Sequence, residues 1–165
     1  MGGGYYGGFG ATFGSSSDDA TPMAAALIGN GTGRDLAVNI KKAKPVPGFE
    51  DVAIHGHPDG FQLIRINRSS GKEERINLAQ RDLAKYLKSS SDYHGGNIRL
   101  ISCNTGVKPN GIAQHLSNKL GVIVMAPTDT AWVYPNGRIT IGPNQYTNSG
   151  TWNYYYPQGK KGGKQ

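Results

Sequence analysis

Three short apolar runs, each broken off by turn residues, constrain this chain more than any other feature. The first is Asp51-Val52-Ala53-Ile54, which stops at His55, Gly56, His57, Pro58, Asp59 and Gly60. The second passes from Asn97 through Ile98, Arg99, Leu100 and Ile101 to Ser102, Cys103, Asn104, Thr105 and Gly106. The third, Val122 to Ala126, breaks at Pro127, Thr128 and Asp129. Runs of this length bounded by Gly, Pro and Asp read as buried strands. Helix-like segments lie before and after the Cys103 run, so the strands are expected to be parallel. In open parallel sheets, ligands bind outside the carboxyl ends of the strands. That edge would gather His55, Cys103 and the turn at Thr128 and Asp129.

A chain of 165 residues suits one domain with a single core. Its apolar content is only 36%, and it carries 25 glycines, which fits a globular middle between polar ends. The expected division is a flexible Gly-rich lead over residues 1–34, one α/β domain over 35–157 and a disordered basic tail over 158–165. Met23 to Ile28 is a short apolar patch that reads as a helix turn or a docking segment. Asp35 to Ile40 alternates weakly, as a first strand would. No apolar run approaches about 18 residues, so no membrane span is predicted. Residues 1–14 lack the basic start and apolar core of a signal peptide, so export is expected to need another route or a larger parent protein.

Between the apolar runs the pattern is legible. Phe61 to Arg68 reads as a strand, Ser69 to Lys72 as a turn, and Glu73 to Ile76 as its return. Asn77 looks like a helix cap. Ala79, Leu83 and Leu87 follow on one face, with Arg81, Lys85 and Lys88 outside. Asn110 is expected to cap a second helix carrying Ile112, Ala113, Leu116 and Leu120, closed by Gly121. Ala131 to Tyr134 and Arg138 to Ile141 flank Asn136-Gly137, a strong hairpin signal. Trp152, Tyr154, Tyr155 and Tyr156 are expected to fold back on the core.

Cys103 is the single cysteine, which excludes an intrachain disulfide. A thiolate is a strong nucleophile, but a free thiol at neutral pH needs a base or a positive field. His55 can be that base, because adjacent strand ends lie about 4.8 Å apart. Gly56 leaves its backbone N–H open to an approaching carbonyl oxygen, and with the Cys103 N–H it would form an oxyanion hole. His57 competes as base if the strand continues past Gly56, which Pro58 opposes. Asp59 or Asp129 could orient His55 through turns, whereas Asp51 lies about 13 Å back along the strand. The plain alternative is a core cysteine beside a histidine satisfied by backbone. A phosphatase loop needs Arg six positions after its Cys, where Pro109 stands. The paired cysteines of a zinc deaminase and the glycine-rich phosphate loops are absent from the sequence. No metal or cofactor is expected. The net charge of +7 marks either a solvated basic face or attraction to nucleic acid or an anionic membrane.

The pair Ile54-His55-Gly56 and Ile101-Ser102-Cys103, with His55 and Cys103 48 positions apart, resembles the caspase-like cysteine peptidases. The resemblance implies a three-layer α/β fold with a mostly parallel central sheet, helices on its faces and a C-terminal hairpin. It implies His55 as base, Cys103 as nucleophile, and the Gly56 and Cys103 N–H groups as oxyanion donors. Ile101-Ser102 departs from the caspase form, which bears on substrate preference. Arg99 to Gly106 and Ala126 to Trp132 are similar to C-terminal modules of bacterial polymorphic toxins such as Rhs-type proteins. That likeness implies secretion or delivery into a target cell by a larger parent protein, and an immunity protein as partner. The combined expectation is a toxin or effector module that is a cysteine peptidase acting on protein or peptide. Two other readings stand beside it. One is a toxin module of different chemistry acting on nucleic acid through its basic face. The other is a catalytically silent binding domain of the same fold.

Overall fold

Side chains alternate along the central strands and both faces bury apolar groups, as expected of a parallel sheet covered on each side. The computed structural model describes residues 25–27, 39–67 and 69–158. In chain order the elements are β1 (Ala25–Leu27), β2 (Phe49–Ala53), β3 (His55–His57), β4 (Gly60–Ile66), β5 (Glu73–Leu78), α1 (Gln80–Ser89), β6 (Asn97–Ile101), α2 (Ile112–Leu120), β7 (Val124–Pro127), β8 (Ala131–Val133), β9 (Ile139–Ile141) and β10 (Trp152–Tyr155). The central sheet has the order β1-β2-β6-β7-β10. Its first four strands pair in parallel, and β10 closes it antiparallel to β7. β3, β4 and β5 form a small antiparallel sheet, and β8 with β9 a hairpin. The protein is thus mixed α/β with a mostly parallel main sheet.

The alternation assigns the layers. Val52, Ile54, Ile98, Leu100, Val124 and Ala126 face Leu83, Ala84 and Leu87 of α1 and Ile112, Ala113 and Leu116 of α2. Leu83, Leu87 and Leu116 are fully buried, each such side chain contributing about 1.5–3 kcal/mol. On the other face Ala53, Ile101 and Cys103 meet Ile40, Ala131 and Val133. Ile40 belongs to a helical turn at residues 39–41. Both long helices therefore share one face, and the turn with the β8–β9 hairpin covers the other.

Several local expectations need correction. Ala25–Leu27 is a strand rather than a helix turn, so the sheet begins inside the stretch expected as lead. Three residues are too few to show a period, and only the partner strand β2 identifies them. Residues 1–24, 28–38 and 159–165 lie outside the described residues, and with them most of the expected lead and tail. Asn39 and Ile40 are helical, not extended. Asn77 is not a cap: it lies in β5, where its side chain accepts a hydrogen bond from Gln62 Nε2 at 3.2 Å. The helix starts beyond Ala79, whose N–H is taken by the Asp82 carboxylate at 3.0 Å. Gly111, not Asn110, precedes α2 as its cap residue. Gly121 does close that helix, at φ +70°. Gly137 turns the hairpin at φ +87°, and an added Cβ there would lie 2.2 Å from the Lys42 carbonyl oxygen. Among the described residues no helix is long and apolar enough to cross a membrane.

Candidate active site

The register between β2 and β6 builds the site. Ala53 is the partner of Ile101, and the Ile54 N–H reaches the Ile101 carbonyl at 3.3 Å, one step beyond. His55 and Cys103 each follow this last pair by two residues, so the two sit at matching positions past the sheet edge. Beyond Ile101 the chain turns sharply. Ser102 N–H bonds back to the Leu100 carbonyl at 3.0 Å, and Thr105 Oγ1 donates to the Ser102 carbonyl at 2.8 Å. Asn104 has φ +62°, the one positive value at a non-glycine among the described residues. Backbone held in the left-handed region after a candidate nucleophile marks a loop whose shape the surroundings impose. The surroundings here are β7 and β10. Asn104 N–H meets the Asp129 carbonyl at 3.0 Å, Gly106 N–H the Pro127 carbonyl at 2.8 Å, and the Tyr155 hydroxyl donates to the Gly106 carbonyl at 2.8 Å. The expected gathering of the three strand-end turns at one edge therefore holds.

His55 does not end its strand as expected; it opens β3, which pairs antiparallel with β4. The partners are His55 with Gln62, Gly56 with Phe61, and His57 with Gly60. Around a two-residue turn the flanking pair is the hydrogen-bonded one and the next is not. The Gly56 N–H therefore points away from β4 rather than into the ladder. An added Cβ at Gly56 would fall 2.2 Å from Ser102 Oγ and 2.8 Å from Thr105 Cγ2. Only glycine lets the hairpin lie this close to the cysteine loop. His55 is buried, and Gln62 opposite it accepts from Arg75 Nη1 at 3.1 Å.

The secondary candidates go elsewhere. The strand does continue through His57 despite Pro58, but His57 Nδ1 accepts the Asp59 N–H at 3.1 Å and so serves the turn. The Asp59 carboxylate bonds Lys108, whose ammonium lowers its pKa below the usual value. The Asp129 carboxylate takes the Thr130 N–H at 2.8 Å. Among the described residues neither carboxylate bonds to His55. Asp51, out of reach as expected, is bonded to Arg99 at 2.6 and 2.7 Å.

Cys103 is fully buried, and its sulfur accepts the Ala131 N–H at 3.3 Å. Burial pushes the thiol up to about 12, the Ala131 N–H offsets this only in part, and the charge of Asp129 adds to the rise. In this state burial favours the protonated thiol, and the sulfur is closed off from solvent. The sequence reading missed Ala131 because a backbone donor on a small residue carries no chemical signal. It missed the grip of Tyr155 on Gly106 because several aromatics crowd that tail.

A mixed α/β protein with a histidine hairpin and a cysteine loop at one sheet edge is the class that fold and site define. The chain belongs to the family described as "Domain of unknown function (DUF8616)", whose model matches residues 25–141, from β1 through β9. No curated protein and no solved structure matches the chain.

Proposed function

We propose that this chain is a cysteine peptidase of caspase-like type, with His55 and Cys103 as its dyad and a protein or peptide as substrate. One observation carries the reading: His55 and Cys103 each lie two residues past the Ala53–Ile101 pair of adjacent parallel strands. In the reaction His55 takes the thiol proton and the sulfur attacks the scissile carbonyl carbon. The oxyanion is held by the Gly56 and Cys103 N–H groups, the first of which β4 leaves unused. The imidazolium then gives its proton to the departing amine. His55 next deprotonates a water, which releases the acyl group from sulfur. The closed thiol requires one further element: the segment carrying Asp129 and Ala131 withdraws from the sulfur before turnover. The likeness of residues 99–106 and 126–132 to polymorphic-toxin modules supports a toxin or effector role, with delivery by a larger parent protein and an immunity protein as partner.

Iodoacetamide labelling read by intact mass tests the dyad. Labelling of Cys103 should run well ahead of global unfolding and slow in His55→Ala, with far-UV circular dichroism unchanged. Cys103→Ser should keep the fold and lose cleavage of a denatured protein substrate. Labelling that only tracks unfolding and ignores His55 ends the reading and leaves Cys103 a core residue.

A further inference from the structure

Arg81, Lys85 and Lys88 recur at helical spacing along α1 and are all exposed. At 1.5 Å per residue they form a stripe about 10 Å long. Like charges three and four residues apart weaken an isolated helix, so helix stability does not account for the stripe. Nor do neighbouring acids. Among the described residues none of the three bonds to a carboxylate, and neither does Lys119 of α2. Asp82, the acid of α1, is committed to the Ala79 N–H. The second helix packs beside the first and adds His115 and Lys119, both exposed. A hollow of about 290 Å³ lined by Gln80, His115, Asn118 and Lys119 lies where the helices meet. This layer covers the sheet face opposite the one that carries Cys103.

We propose that this two-helix face binds the phosphate backbone of a nucleic acid strand. Its chemistry favours that partner over an acidic protein. The centres of protein interfaces are apolar and depleted in lysine, whereas here the centre is cationic and Tyr86, 45% exposed, is the large apolar residue of α1 that reaches solvent. A row of unpaired cations instead matches a repeating charge: three long cationic side chains set along about 10 Å can each reach a phosphate of one strand. The surface works independently of the proposed dyad, since a strand bound there leaves the cysteine face uncovered.

The test is fluorescence anisotropy of a labelled single-stranded oligonucleotide of about 20 residues with the full chain, between about 50 and 200 mM salt. Neutralising three to four phosphates on a single strand gives a slope of log K against log salt of about −2 to −3. The triple variant Arg81→Gln, Lys85→Gln, Lys88→Gln should flatten that slope by about 2. Lys41→Gln, Lys44→Gln, Arg138→Gln makes the same charge change on the opposite layer and should leave the slope in place. If the α1 triple variant loses its fold, Lys85→Gln alone should still flatten the slope by about 0.7. Cys103→Ser should bind as the wild type does, which separates this outcome from any failure of the peptidase reading. Absence of binding at the lowest salt, equal loss in both triple variants, or tighter binding of polyglutamate than of the oligonucleotide would each overturn the proposal.

Discussion

Asp51 and Arg99 are register partners on β2 and β6, and their side chains grip each other through two charged hydrogen bonds of 2.6 and 2.7 Å, almost wholly out of solvent. The pair lies two residues before the Ala53–Ile101 partners, on the same sheet face. Removing one partner strands a buried charge, which costs about 3–5 kcal/mol, whereas replacing both with apolar groups of similar volume is often neutral. Arg99→Met should therefore lower urea stability by about that amount, and Asp51→Leu with Arg99→Met should recover most of it. A single variant as stable as wild type would mean that water reaches the pair.

Gly56 and Ser102 give a second test of strand placement. Gly56→Ala forces a methyl group against the Ser102 hydroxyl and should cost about 1–3 kcal/mol. Ser102 Oγ is buried with no hydrogen-bond partner, so Ser102→Ala should be neutral or stabilising. The double variant should regain part of the Gly56→Ala loss, read as a coupling in thermal unfolding. Strict additivity would separate the hairpin from the cysteine loop.

The buried thiol sets a pH dependence. Its pKa rises on folding from 9.0 to about 12. A group whose folded pKa is raised contributes stability that is complete below the unfolded value and lost as pH climbs toward the folded one. The stability of wild type relative to Cys103→Ala should be constant below pH 9 and fall on the order of 2–3 kcal/mol by about pH 11. Tyr93, raised by burial and by Glu50 to about 12, titrates in the same window and cancels in the difference. A flat difference across that range would mean that the thiol meets water in the folded chain.

The two histidines of β3 should separate in kinetics. His55→Ala should lower cleavage of a denatured protein substrate by about 10²–10⁴-fold through lost acid–base work. His57→Ala loses the Nδ1 contact with the Asp59 N–H and should cost about 1 kcal/mol of stability, with activity kept within roughly tenfold. The reverse order would move the base to His57.

Local pattern was enough for much of this protein. The apolar runs ending near His55, Cys103 and Thr128 announced three parallel strands, and Leu83, Leu87, Ile112 and Leu116 announced two helices with one buried face each. Gly121 and Gly137 marked their turns because positive φ is a property of the residue itself. The expected gathering of His55, Cys103 and Asp129 at one edge also followed, since parallel strands joined by helices must bring their carboxyl ends together. What only the tertiary structure decided depends on partners distant in sequence. β1 is a strand because β2 supplies its hydrogen bonds. His55 begins a hairpin because β4 returns to pair with it. Cys103 is a buried thiol because Ala131 and Val133 of the hairpin close over it. Whether a cysteine is acid or inert is set by the dielectric and the donors around its sulfur, and here the closing hairpin and the Ala131 N–H come from 28 positions or more along the chain.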